Sequence, residues 1–184
     1  MSKTQCNTQN ALLMQKLTKF YTNDNYTNLR KVLPIINGVS VLSLRLIDWF
    51  VTNYAKEHFT RYIVKGRRYA VWEEYRLRLR SYKKRRFDPF CRWERVDMPY
   101  EDGSYVETTI GQLNFFMWAL ENDVIDYIEK NRIAIENDMS RRNSTARNKP
   151  SSDNKTRRRR QELSISATKS IRKEEVEITV EFGD

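Results

Sequence analysis

The chain has 184 residues, which suggests one domain or a domain with tails, and its ten Tyr, eight Phe and four Trp are enough aromatic side chains for a real core. A formal net charge of +10 indicates anionic partners such as nucleic acid, an acidic protein face or a membrane surface, without choosing among them. Composition argues against a wholly disordered chain, a disulfide scaffold and a membrane-spanning protein, since two cysteines stand far apart and no apolar run approaches roughly 20 residues.

The N-terminal third predicts two helices. Residues 1–9 are polar and predict a flexible N-terminus, and apolar side chains at near-helical spacing predict a helix over Ala11–Tyr21. Residues 22–28, rich in Asn and Thr, indicate a connection, and an apolar patch at Leu33–Gly38 ends in an Asn-Gly turn signal. The clearest helix spans Ser43–Tyr54, with one apolar stripe and a serine placed to cap its first turn.

The middle of the chain predicts a hairpin followed by a basic helix. A β-type run at Phe59–Val64, a basic turn at 65–68 and a short return strand at Tyr69–Val71 form the hairpin. Trp72–Lys84 fits two patterns, since its aromatic residues have helical spacing while Arg76–Arg80 alternates like a strand. We favour the helix, because its period covers more residues, and the Asp-Pro pair that follows must end it.

The next stretch predicts a turn, a strand and two helices. Glu101–Ser104 indicates a turn and Tyr105–Thr108 a short strand. A threonine at the end of that strand is placed to cap a helix that runs through Leu120. A second helix with an apolar face follows, and the folded region is expected to end near Asp138.

The composition changes after the folded region. Ser, Thr and Asn together with the run Arg157–Arg160 predict a basic flexible linker over 139–161, since almost nothing there can be buried. Residues 162–184 resume an alternation of apolar and polar side chains, which predicts an extended C-terminal β segment. We therefore predict an α+β fold class, with a small mainly helical domain containing short strands over 10–138, followed by the linker and the docking segment.

Two parts of the tail are candidate partner-binding sites. The arginine run fits nucleic-acid binding by counterion release, nuclear import or docking onto an acidic protein face, and the sequence leaves these open. The β segment has one apolar face that it cannot bury alone, so it must return to its own sheet or add to a partner's edge. The candidate residues are Arg157, Arg158, Arg159, Arg160, Val176, Ile178, Val180 and Phe182.

The strongest electrostatic feature is the segment Lys65–Arg95, which holds twelve Lys and Arg against four Asp and Glu. Aromatic residues are interleaved with these cations, an arrangement that suits the gripping of phosphates and stacking on bases. The helical spacing of the aromatics favours a plainer interpretation, in which they form core and the cations solvate the opposite face. The candidate basic surface consists of Lys65, Arg67, Arg68, Lys83, Lys84, Arg85 and Arg86.

No motif in the chain indicates bond chemistry. His58 is the only histidine, and no nucleophile elbow, phosphate-binding loop or dinucleotide fingerprint occurs. The sequence contains no cluster of Cys, His and carboxylate residues that could bind a metal ion. We therefore predict a protein that is not an enzyme, with no cofactor, no metal and no catalytic residue. With no recognisable signal peptide, we expect an intracellular protein or one packed into an assembly made inside a cell.

Several stretches resemble a protein family of the nucleocytoplasmic large DNA viruses, the giant and algal viruses. The resemblance covers about half of the chain. The stretches are Leu33–Gly38, Ser43–Tyr54, Phe87–Arg92, Thr108–Trp118 and Arg159–Ser170.

The resemblance implies a virion structural protein. Viruses of this group build capsids from double jelly-roll trimers, underlaid by small minor capsid proteins. The implied partners are the major capsid protein and other minor capsid proteins, and the implied location is the capsid of a virion assembled in the host cell. The alternative is a viral nucleic-acid-binding factor in transcription or genome packaging.

Overall fold

The structure is a computed structural model that describes residues 9–23 and 25–147. The polar residues 1–8, most of the predicted linker and the C-terminal β segment lie outside the described residues. Predictions that fall there, including the division of the tail at residue 161, stay predictions.

Helices dominate the described part of the chain, and two small antiparallel hairpins complete it. This confirms the α+β class of the domain and its mainly helical character. The α-helices are α1 (Gln9–Thr22), α2 (Thr27–Ile36), α3 (Leu44–Trp49), α4 (Ala55–Glu57), α5 (Val71–Arg86), α6 (Ile110–Glu121), α7 (Val124–Lys130) and α8 (Arg132–Arg147). The strands are β1 (Arg61–Val64), β2 (Arg67–Ala70), β3 (Arg95–Pro99) and β4 (Tyr105–Thr109).

Side-chain caps start two of the helices where the sequence predicted them. Ser43 Oγ accepts the backbone N–H of Leu46 at 3.1 Å at the start of α3, and Thr109 Oγ1 accepts that of Gln112 at 3.1 Å at the start of α6. Each bond satisfies an amide that the first helical turn leaves without a partner. Between α3 and α4 the helix widens into a π-helical turn at Phe50–Tyr54, so the predicted helix over 43–54 is continuous but not uniform.

Helix α6 is the centre of the core. Every residue from Gly111 to Ala119 is buried, so this helix has no solvent face along that stretch. The aromatic rings of Tyr75, Phe87 and Phe115 pack around Trp118 at centroid distances of 5.4 to 6.1 Å. A helix that is buried all round must be enclosed by its neighbours, and α1 and α5 lie against it.

The two hairpins each use a short turn. In the first, Val64 pairs with Arg67 across a two-residue turn in which Lys65 and Gly66 have φ values of 49° and 78°. Positive φ at both turn residues is the geometry whose twist suits a tight hairpin, and glycine adopts it without strain. The second hairpin pairs β3 with β4 from Arg95↔Thr109 to Pro99↔Tyr105.

Three elements differ from the predictions. Helix α2 occupies part of the expected connection at 22–28 and contains Pro34; buried apolar side chains along it offset the hydrogen bond that the proline removes. Strand β3 was not predicted, because only four alternating residues precede Pro99, a residue that usually argues against a strand. Helix α8 continues to Arg147, past the boundary expected at Asp138, and Arg141 and Arg142 in the turn after that boundary both donate to the Asp138 carboxylate.

Candidate interaction surface

Three of the predicted basic residues form what we call the hairpin patch: Lys65, Arg67 and Arg68. All three are exposed at the tip of the β1–β2 hairpin. The inner face of the hairpin is attached to the domain by Tyr62, whose ring stacks on Tyr127 at 4.9 Å and whose hydroxyl donates to the Asn122 carbonyl at 2.8 Å. The cations therefore project from a fixed support.

The other four predicted cations form the helix-end patch at the C-terminal end of α5: Lys83, Lys84, Arg85 and Arg86. Arg85 lies 3.6 Å from the carboxylate of Glu94, and Arg86 donates to the side chain of Asn10 at 2.6 Å. These contacts occupy two of the four guanidinium and ammonium groups.

The seven cations do not form one surface. Helix α5 separates the two patches. Its stretch from Val71 to Tyr82 is about 18 Å long at 1.5 Å per residue, and the backbone leaves helical geometry at Lys83, where φ is 58° and ψ is 165°. Among the described residues, Arg85 pairs with a carboxylate and Arg86 bonds to the Asn10 side chain, while the other five of the seven make no ion pair with a carboxylate. Those five are Lys65, Arg67, Arg68, Lys83 and Lys84, and their charge is available to a partner.

The aromatic residues of the basic segment belong mainly to the core. Tyr75, Phe87 and Phe90 are buried, which supports the plainer interpretation of this segment over a row of base-stacking rings. Trp93 is 42% exposed. Trp72 is half-buried, with Lys56 Nζ 5.6 Å and the Arg76 guanidinium 5.8 Å from its ring centroid, so nearby cations already lie against it.

Two exposed apolar side chains lie along the hairpin: Ile63 lies opposite Arg68 of the hairpin patch, and Phe59 lies two residues before β1, at the other end of the hairpin. Phe59 is 75% exposed and has a φ of 46°, and Ile63 on β1 is 65% exposed. A bulky residue at positive φ is strained, and that strain persists only where the surroundings hold the backbone. The hairpin surface therefore combines unpaired cations with apolar contact area, as a protein-binding surface does.

An open groove of about 1000 Å³ lies between the C-terminal end of α2, the α3 helix with its π-helical turn, and the loop after α5. Sequence reasoning missed it, because its walls come from distant parts of the chain. Its lining includes apolar side chains and a few charged ones, among them Arg45, Asp48, Lys84, Asp88 and Arg92.

Asp88 is the buried carboxylate of this groove. Its Oδ1 accepts the Phe90 backbone N–H at 3.1 Å, and Arg92 donates to both carboxylate oxygens at 2.9 Å. Burial raises the pKa of Asp88 above its usual range, and the bonds from Phe90 and Arg92 oppose that rise. These contacts shape the 87–92 loop. The sequence could have indicated the Asp88–Arg92 pair, because the two residues stand four positions apart in the segment that follows α5.

A second buried carboxylate, Asp138, joins α8 to the helices near the hairpin. It accepts the Trp49 indole N–H at 3.1 Å and bonds from Arg141 and Arg142 at 3.0 Å. His58 Nε2 lies 3.8 Å from the same carboxylate. The Asp138 carboxylate therefore attaches α8 to α3 through Trp49.

The described residues offer little that resembles a reaction centre. Within residues 9–23 and 25–147, no group of three or more His, Cys, Asp or Glu side chains is placed to hold a metal ion. Cys91 carries a buried thiol that the Arg95 guanidinium contacts, and Cys6 lies outside the described residues. No described helix has the length and apolar character needed to cross a bilayer. The tail candidates Arg157–Arg160 and the apolar residues 176–182 also lie outside the described residues.

Comparison with known proteins gives the chain a family. The model of the Family of unknown function (DUF7197) matches residues 2–154. "Uncharacterized protein L507" of Acanthamoeba polyphaga mimivirus is 40% identical over 151 residues, covering 77% of this chain and 57% of the relative. The chain therefore spans less than two thirds of that relative's length. No solved structure matches significantly. The resemblance to giant-virus proteins is thus confirmed at the level of the family.

Proposed function

The chain belongs to the Family of unknown function (DUF7197), which has a relative in a giant virus, and on this premise we propose that it is a minor capsid protein. In this role it cements the inner face of a large icosahedral capsid through protein–protein contacts and carries out no bond chemistry. Its partners are the major capsid protein and neighbouring minor capsid proteins.

The observation that carries this proposal is the placement of unpaired cations at both ends of α5. A cementing protein must touch at least two neighbours, so it needs contact areas on separate sides. The hairpin patch and the helix-end patch meet that need, because they come before and after the helical stretch from Val71 to Tyr82, which is about 18 Å long at 1.5 Å per residue. Complementary charge at an interface directs encounter and fixes the register of the partners, so these patches suit acidic faces of capsid proteins.

Charge reversal tests this proposal in the virus that encodes the chain. One variant combines Lys65→Glu, Arg67→Glu and Arg68→Glu, and a second combines Lys83→Glu and Lys84→Glu. We expect each to enter purified virions at least about tenfold less than wild type, because each places acids opposite acidic partner surfaces. Immunoblotting of virions, normalised to the major capsid protein, measures the effect.

The control for these variants reverses exposed cations outside both patches, Lys16→Glu with Lys31→Glu. It carries a similar change in net charge, and we expect normal incorporation. Wild-type incorporation of both patch variants would contradict the proposal, and an equal loss in the control would show that net charge alone controls entry.

A nucleic-acid-binding role is the second candidate, favoured by the exposed Arg67 and Arg68, which make no ion pair among the described residues. Such binding falls steeply with salt, with a log–log slope of roughly −0.9 per phosphate contacted on duplex DNA. Fluorescence anisotropy of the purified full chain with duplex DNA between low and moderate salt measures that slope. If the chain is a capsid cement, we expect weak binding without sequence preference; tight binding with a steep slope would favour the second role.

A further inference from the structure

The β1–β2 hairpin has an unpaired edge on each strand. Among the residues that the structure describes, no third strand joins it. Because Val64 and Arg67 flank the two-residue turn as a hydrogen-bonded pair, the next pair, Ile63 and Arg68, directs its N–H and C=O groups away from the hairpin. An edge of this kind is a ready template for another strand.

The two faces of the hairpin differ in chemistry. Tyr62 pairs with Tyr69 on the face that packs against the domain, while Ile63 and Arg68 pair on the solvent face. Arg61 lies on the solvent face of β1 and is already paired with Glu73 at 3.2 Å. Arg68 on β2 has no acidic partner among the described residues, so the edge of β2 is the one that offers unmatched charge.

The last eleven residues of the chain have the complementary pattern. Residues 174–184 contain five acidic residues and no Lys or Arg. In an extended strand, successive side chains point to opposite faces, so the apolar and acidic residues separate. The apolar set is Val176, Ile178, Val180 and Phe182, and the acidic set on the other face includes Glu177 and Glu181. Added beside β2, this segment continues the apolar face and places acids on the face of Arg68.

The C-terminal half of α8 lies close to the residues that precede β1. Arg142 Nη1 lies 3.7 Å from Glu57 Oε2, and Asp138 lies 3.8 Å from His58 Nε2. Glu57 and His58 lead directly into β1. Residues 148–173 connect the two parts and span up to roughly 85 Å at about 3.3 Å per residue, so the hairpin of the same chain is within reach. A tether of this kind gives an effective concentration on the order of mM.

From the open edge, the charge match, the alternation and the exit point of α8, we infer that residues 174–182 add to β2 of the same chain as a third strand. The main-chain bonds form on the outward groups of Arg68, and Glu177 and Glu181 lie on the face of its guanidinium. The hairpin patch is then covered in the free protein by the chain's own acidic tail. This inference does not depend on the capsid role.

Amide hydrogen exchange of the purified full chain, followed by NMR, tests the inference. The disrupting variant combines Val176→Asp, Ile178→Asp and Val180→Asp. The matched control places the same three charges in the linker, as Ser151→Asp, Ser152→Asp and Thr156→Asp. We expect the Arg68 amide to exchange at least about tenfold faster in the disrupting variant than in wild type, and at the wild-type rate in the control. Equal Arg68 exchange rates in all three proteins would overturn the inference.

A charge swap tests the pairing itself. Arg68→Glu should lower the protection of amides 176–182, because it places acids side by side, and adding Glu177→Arg with Glu181→Arg should restore it. Protection that is unchanged in Arg68→Glu, or not regained in the combined variant, would overturn the pairing.

Dilution distinguishes the same chain from a second copy. Docking within one chain leaves the Arg68 protection unchanged on tenfold dilution, and protection that falls on dilution would overturn docking within the chain. These measurements use protein without virions, so their failure leaves the capsid proposal standing, and failure of virion incorporation leaves this inference standing.

Discussion

Asp138 shows how a single side chain attaches the last helix to the domain. It is 4% exposed and holds Trp49 from α3 together with two arginines of its own helix. Burial alone acts to raise the pKa of its carboxyl, but the bonds donated by Trp49, Arg141 and Arg142 outweigh burial and keep that pKa below its ordinary value. The charged form is therefore the one that the fold stabilises.

Asp138→Ala is expected to lower the free energy of unfolding by about 2 kcal/mol, since it removes the acceptor of the Trp49 indole N–H and one acceptor of each of Arg141 and Arg142. Urea denaturation followed by tryptophan fluorescence measures the change. The control, Glu129→Ala at an exposed position of α7, should stay within about 0.5 kcal/mol of wild type.

The pH dependence of that difference follows from the sign of the shift. Because the folded pKa of Asp138 lies below the unfolded value of about 3.9, its contribution is fully present above that value and is lost as pH falls through the folded pKa. The stability gap between wild type and Asp138→Ala should be constant near pH 6 and narrow below about pH 4. A gap that widens in acid would contradict this account of the residue.

At the scale of elements, the joint between α5 and α6 depends on close backbone contact. The Asp88 N–H donates to the Gly111 carbonyl at 3.1 Å, and the Asn114 amide donates to the Arg86 carbonyl at 2.8 Å. A Cβ at Gly111 would lie 3.0 Å from the Arg85 carbonyl oxygen, which is backbone and cannot turn aside. A side chain at this position therefore requires the Arg85 backbone to shift by a few tenths of an ångström.

Gly111→Ala should destabilise the domain by about 1–3 kcal/mol through this overpacking. The direction is diagnostic, because alanine is the better helix former by about 1 kcal/mol and would otherwise stabilise α6. Thermal denaturation by circular dichroism measures the melting temperature, with Ser140→Ala on the exposed side of α8 as the control. A melting temperature at or above that of wild type would show that the Arg85 backbone moves away from position 111 without loss of stability.

Elements with complete local signals could be predicted from the sequence. The helix at 43–54 carried both its apolar stripe and its serine cap, and the first hairpin carried two β-type runs around a basic turn. Helix α2 was missed because Pro34 and the Asn-rich start argue locally against a helix that burial of its apolar side stabilises. The groove around Asp88 was missed because its walls join residues 35–53 to residues 75–92 and Asn143, a juxtaposition that only the tertiary fold creates.

At the scale of the whole molecule, the fold distributes charge to separate sides. Six of the seven predicted cations are exposed and Arg86 is half-buried, and the structure divides them between the hairpin tip and the C-terminal end of α5. The buried aromatic residues of the same segment serve the core, which weakens the case for a base-stacking surface. The described surface carries exposed cations in two separate patches, and the proposed capsid role depends on these patches.

Quantitative mass spectrometry of capsid shells stripped of their genome tests that role most directly. Shells from the virus that encodes the chain are treated with nuclease and washed with salt, and the protein is counted against the major capsid protein. A capsid cement should stay at a fixed ratio to the major capsid protein through both treatments. Loss of the protein together with the genome, or its absence from intact virions, would contradict it.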